Sequence, residues 1–213
     1  MADEPKPEEI IDITGPAGET LFWHALEHVI AKHGPKLQAE LDELWAHYQD
    51  ISDERLLALV AALCTENAIQ GLLEAVGPGF DKLRDDADFT FSLKIKTVRA
   101  LRIIPSRILT TCDLIRQLRN EFAHHLDRKT FSQLDPDKHL RKLKTQLATF
   151  NMKERDDTKY AALFKELVGF TLLALRTYLQ HTQRLREFLE TPAFRDGFKR
   201  WSEGSHDSQQ NRA

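Results

Sequence analysis

The sequence predicts an all-α protein, a bundle of about five to seven helices joined by short connections. Three observations carry this. Apolar residues recur at spacings of three and four, as in Ile108, Cys112, Ile115, Leu118, Phe122 and Leu126, which form one helical stripe. No strand-type alternation extends beyond a few residues. Gly or Pro falls between the periodic segments, at Gly34-Pro35, Gly77-Pro78-Gly79 and Asp135-Pro136, where helices stop or start. No repeat of fixed period is present.

The elements follow in order. Residues 1–18 are rich in Pro, Gly and acid and read as a flexible arm. A single helical domain is expected over 19–202. Its first helix starts at about residue 19, with Leu21, Phe22, Ala25, Leu26, Val29 and Ile30 on the apolar side. His24 and His28 share a face there, but without a third ligand they read as polar-face histidines rather than a metal pair. A second helix spans about 36–50, with Leu37, Leu41, Leu44, Trp45 and Tyr48 on one side. Ser52-Asp53 can cap a third, over 53–77. Its first half is apolar almost all round, the mark of a central buried helix. Glu66 and Asn67 interrupt it. A carboxylate there either pairs with a cation in the interior or lies on a narrow polar face.

Phe80 to Leu83 reads as about one helical turn. A helix follows from Ser92, with Ile95, Val98, Leu101 and Ile104 as its stripe and Lys94, Lys96, Arg99 and Arg102 mostly off it. Pro105 suits the first turn of the next helix. Residues 127–138 read as a loop, and a short amphipathic helix carries Lys138, Arg141, Lys142 and Lys144. The stretch NMKERDDTK reads as a hinge. A long helix over about 157–190 would approach 50 Å at about 1.5 Å per residue, its second half protruding or meeting another subunit. Residues from Thr191 suggest one more short helix, and 203–213 a disordered tail.

The chain has 213 residues, 41% of them hydrophobic and 30% charged, with a formal net charge of −3. The absence of a basic excess means that any nucleic-acid contact must use a local patch. The cations Lys94, Lys96, Arg99 and Arg102, with Arg107 and Arg116, form the one convincing cluster near the stripe of residues 108–126, as phosphate binding needs; an ordinary solvated helix face is the other reading. The two cysteines, Cys64 and Cys112, sit in apolar patterns, which fits buried thiols in a reducing cytoplasm rather than a disulfide framework. The acidic start does not resemble a signal peptide, and no apolar block reaches the roughly 18 residues of a membrane span.

Several chemistries are absent from the sequence. Gly77-Pro78-Gly79 lacks the Lys and Ser/Thr of a phosphate-binding loop, and no Gly-x-Ser-x-Gly or His-Glu-x-x-His occurs. The lone cysteines support no zinc site, and no metal or cofactor is expected. No helix-turn-helix with a basic recognition helix is evident.

What remains is Arg119-Asn120-Glu121-Phe122-Ala123-His124-His125 at the end of a helical pattern. Asn120 and His124 are four apart and share a face, whereas Arg119 and His124 are roughly 140° apart around a continuous helix. They can converge only if the helix ends between them, or if a second copy of the chain supplies one of the pair. Alternatively the group caps the helix end, where cations favour the dipole, or bonds to Glu66 or Asp113.

Arg-Asn followed by three residues and His resembles the Arg/His signature of the HEPN superfamily (higher eukaryotes and prokaryotes nucleotide-binding). Glu66 in a leucine-rich helix, then Phe91-Ser92, then RNEFAHH, resembles in order the branch containing the bacterial mannitol operon repressors. The likeness covers about residues 53–135. It implies an HEPN-like bundle that binds or cleaves RNA without metal, commonly as a homodimer with two motifs facing each other, in a toxin–antitoxin or defence setting. In that role His124, with His125 as the other candidate, would be general base or acid. Arg119 would hold the scissile phosphate and Asn120 would orient the imidazole or the phosphate. Glu66 would support one of them. The same likeness also implies a different role, a non-catalytic regulator of the mannitol repressor kind acting through a protein partner.

Overall fold

The computed structural model describes residues 50–134, 139–150 and 160–196. These residues are all-α and contain no strand. Five α-helices are present among them: α1 Glu54–Val76, α2 Phe91–Leu101, α3 Ser106–His124, α4 Arg141–Thr149 and α5 Tyr160–Glu190. Short 3-10 helices occupy Pro78–Leu83 and Phe131–Gln133, and one helical turn lies at 192–196. The expected arm, the first helix with His24 and His28, the second helix up to its last residue, the hinge at 151–159 and the tail lie outside the described residues.

Helix α1 is central, as its composition predicts, and α2, α3 and α5 all pack on it. The Asp53 side chain caps it, accepting from the backbone N–H of Arg55 at 2.8 Å and of Leu56 at 3.0 Å. It stops at Gly77, whose N–H donates to Leu73 O at 3.0 Å; Pro78, which has no N–H, follows. By length and composition α1 could cross a membrane. Half of its most apolar window is buried by its neighbours, as in a core helix.

Thr90 caps α2. That helix ends one turn early relative to its stripe. Arg102 turns left-handed at φ 51°, so Leu101 stays exposed and Ile104 enters the core from the connector instead. Such a turn costs a non-glycine residue roughly 1–2 kcal/mol, which the burial of Ile104 offsets. Helix α3 buries Ile108, Cys112, Ile115, Leu118 and Phe122 as its spacing predicts. Leu126 does not follow, because the helix stops at His124 and the next residues leave the 3.6-residue register; Leu126 is 69% exposed. Burial pushes the Cys112 thiol above its ordinary range, and neither cysteine is in a disulfide.

The segment after α3 is not the plain loop its polarity suggests. It folds beneath the end of α3 and inserts Phe131, fully buried, between Phe122 and Phe164, at ring distances of 5.3 and 4.8 Å. Helix α5 runs beside α1: Lys165 donates to Ile51 O at 3.1 Å, and Arg186 reaches Glu74 O at 3.5 Å. Beyond Gln180 its apolar residues Leu185 and Phe188 are mostly exposed, as the sequence suggests for its far half.

Candidate functional site

The motif occupies the last turns of α3. The helix is unbroken from Ser106 to His124, and His125 N–H closes it on Glu121 O at 3.1 Å. The helix therefore does not end between Arg119 and His124, and the two side chains leave it about 140° apart. One chain alone does not bring them together.

Each has a distinct environment. Arg119 is exposed and donates from Nη1 to Asn120 Oδ1 at 2.9 Å. That bond commits the Asn120 oxygen to Arg119 and not to an imidazole. The His124 side chain is exposed and makes no hydrogen bond or ion pair among the described residues. His125 differs: its Nε2 lies 3.5 Å from Glu121 Oε1. The two candidates thus differ in surroundings, with His125 beside a local carboxylate and His124 open.

Glu121 is the best-connected residue of the motif. Its carboxylate, 13% exposed, is held by Arg128 from beyond the helix end, and the imidazoles of His125 and of buried His139 stand beside it, with Nε2 at 3.5 and 3.2 Å from its oxygens. This clasp fastens the segment after α3 back onto the helix. Glu121, Arg128 and His139 carry no sequence pattern that marks them as a group. Glu121 sits inside the motif, but nothing local signals that His139, eighteen positions on, folds against it.

Glu66 does not support the Arg/His centre. Its Oε1 accepts from Lys94 Nζ at 2.9 Å, and that ammonium also stands 5.8 Å from the Phe89 ring centroid. The reason is burial: Lys94 points into the fold, its side chain 8% exposed, and a buried ammonium requires a counter-charge. Lys94 is consequently no phosphate-binding surface residue. Arg116 is also engaged, with Nε 2.9 Å from Asp113 Oδ1. Arg99 and Arg102 are exposed, but they lie by the start of α3. Thirteen residues, about 20 Å of helix, separate that end from Arg119. The expected basic patch does not assemble around the motif.

What does assemble beside Arg119 is a groove of about 280 Å³ between the end of α3 and the start of α1. It is lined by Arg119, Phe122 and Ala123 on one side and by Asp53, Arg55, Leu56 and Leu59 on the other. Arg55 Nη1 donates to Leu126 O at 3.2 Å, so the start of α1 is bonded to the chain just past the motif. Chemically this is a guanidinium-bordered apolar trough, with an open imidazole on another face of the same helix end. No group of three or more His, Cys, Asp or Glu suited to a metal ion occurs among the described residues.

Comparison with protein-family models, with curated proteins and with solved structures finds no match for the chain.

Proposed function

We propose that this protein is an HEPN-like RNA-binding domain, and that strand cleavage, where it occurs, is performed between two copies of the chain. One observation carries the reading. Arg119 and His124 both stand exposed at one helix end, neither bonded to a carboxylate, on faces about 140° apart around an unbroken helix. A side-chain cluster built only to cap a helix or to satisfy local acids would be consumed by those acids, as Glu121 engages Arg128.

In a two-copy site, Arg119 of one chain would hold the phosphodiester and carry charge developing on its oxygens. His124 of the other would take the proton of the attacking ribose 2′-hydroxyl, or give one to the departing 5′-oxygen. The phosphorus–O5′ bond would break as the 2′-oxygen bond forms, leaving a cyclic phosphate and a free 5′-hydroxyl. The unbroken helix supports the second reading, a non-catalytic regulator of the mannitol repressor kind that acts through contact with a protein partner.

The test uses Arg119→Ala and His124→Ala, each inactive as a pure species, incubated with RNA in the presence of a chelator. Mixing the two variants in equal amounts should restore about a quarter of the parental cleavage, since half of the dimers are mixed and each of those holds one complete site of two. A parent that binds RNA without cutting it leaves the binding domain and removes the nuclease. Absence of RNA binding by the folded parent removes the proposal and leaves the regulator.

A further inference from the structure

Resting on that reading, we infer that Arg55 is a second phosphate-holding residue, and that the Arg55–Arg119 groove takes one unpaired nucleotide of single-stranded RNA.

The argument starts from donors. A guanidinium has five N–H donors. Arg55 spends one on Leu126 O and Arg119 spends one on Asn120 Oδ1, so both keep most of their forks for a ligand while being held in place. Both border the same groove, from different helices. Two guanidinium groups on opposite walls of a trough match the several oxygens of a phosphodiester better than one does. The lining has one acid, Asp53. Its Oδ1 faces two backbone N–H groups at the positive end of α1, which balance it locally and leave the groove's formal charge at one positive.

The floor sets the rest of the ligand. Leu56 and Leu59 are 47% and 40% exposed, an unusual pairing of apolar surface with two cations. Such an apolar surface can pack against the flat face of a nucleobase, which is free only in an unpaired strand. Size argues the same way. About 280 Å³ lies at or below the range of roughly 300–1,000 Å³ typical of sites that enclose a whole small molecule. The groove fits a segment of a longer chain that enters and leaves it.

Arg55 also explains how binding survives without the cations that the sequence nominated. Lys94 and Arg116 are engaged elsewhere and Arg99 and Arg102 are distant, whereas Arg55 arrives from 64 positions before Arg119 through the packing of α1 on α3.

The experiment measures binding of a fluorescently labelled oligoribonucleotide to the full chain, single-stranded and as the duplex of the same sequence, over a range of salt. Arg55→Gln keeps a donor for the Leu126 carbonyl while removing the charge. Leu59→Gln, at an exposed position, probes the floor separately. Unfolding temperatures confirm that each variant is folded. We expect each to weaken single-strand binding by about tenfold. Arg55→Gln should also lower the slope of log affinity against log salt by about 0.7, the value for one lost phosphate contact on a single strand. The duplex should bind more weakly than the single strand. If Arg119→Ala weakens binding but neither Arg55→Gln nor Leu59→Gln does, the inference falls and the RNA-binding reading stands. Equal affinity for duplex and single strand also overturns it. If the parent binds neither, both fall together.

Discussion

The pair between Glu66 and Lys94 makes an asymmetric prediction. The Lys94 side chain is 8% exposed and that of Glu66 28%, with 2.9 Å between the charged atoms. Removing the carboxylate leaves an ammonium that cannot reach bulk water without dragging its stem out of the fold. Breaking a fully buried pair from one side costs about 3–5 kcal/mol. Two features reduce that here: the partner is partly hydrated, and the Phe89 ring keeps some hold on the cation, worth about 0.5–2 kcal/mol. Glu66→Ala is therefore expected to destabilise the fold by about 2–3 kcal/mol. Lys94→Met keeps the apolar stem and leaves behind a carboxylate that can rotate into solvent, so it should cost no more than about 1 kcal/mol. The double replacement Glu66→Leu with Lys94→Met should lie near Lys94→Met alone, because no uncompensated charge remains. Urea unfolding followed by circular dichroism measures all three; at a slope of about 2 kcal/mol per molar, Glu66→Ala should move the midpoint by roughly 1 M. A Glu66→Ala cost below about 0.5 kcal/mol, or a Lys94→Met cost equal to it, would refute the reasoning, since either result means that the ammonium is not truly enclosed.

Two further predictions concern the upper end of α1. A Cβ added at Gly71 would meet Leu179 Cδ2 at 3.7 Å, an ordinary contact, in the middle of a helix. Gly71→Ala should stabilise the protein by about 0.5–1 kcal/mol and raise its melting temperature by about 2–4 °C; a fall in melting temperature would show that α1 and α5 approach too closely there. The Glu74 carboxyl is held below its ordinary range chiefly by hydrogen bonds from Arg84, at 2.9 and 2.6 Å, which outweigh the opposing effect of burial. A depressed folded-state value means that this stabilisation is complete above the unfolded value of about 4.3 and is lost as pH falls through the folded one. Stability measured from pH 6 down to pH 3 should therefore decline less steeply in Arg84→Ala than in the parent, and equal slopes would contradict the assignment.

The fold was more legible in the sequence than the site was. Helix α1 and the buried side of α3 follow from apolar spacing and from stop signals such as Gly77-Pro78, which act over a few residues. Leu126 and Leu101 misled because spacing alone does not tell where a helix stops, and Arg102 and His125 end theirs without glycine. The site depends on which helices lie side by side, and that is not a local property. Glu66 looked like support for the motif because it is a carboxylate in an apolar helix; its partner was decided by the inward aim of Lys94. Arg55 has no sequence signal at all beyond its place two positions after a capping residue. Phe131 was hidden in a polar stretch, and it is the packing of Phe122 and Phe164 around it that makes it core.

The bonds that hold the end of α3 have a consequence for the order in which the molecule forms. Arg55 reaches Leu126 across 71 positions, and Glu54 accepts from the Phe131 N–H across 77. Closing loops of that length carries an entropic cost that must be met before either contact exists, and such contacts slow folding relative to neighbour-to-neighbour ones. The bonds that hold the end of α3 therefore form only once α1 has docked. A peptide spanning 91–134 would contain every letter of the motif and still lack the groove, because one wall of it belongs to a helix already left behind.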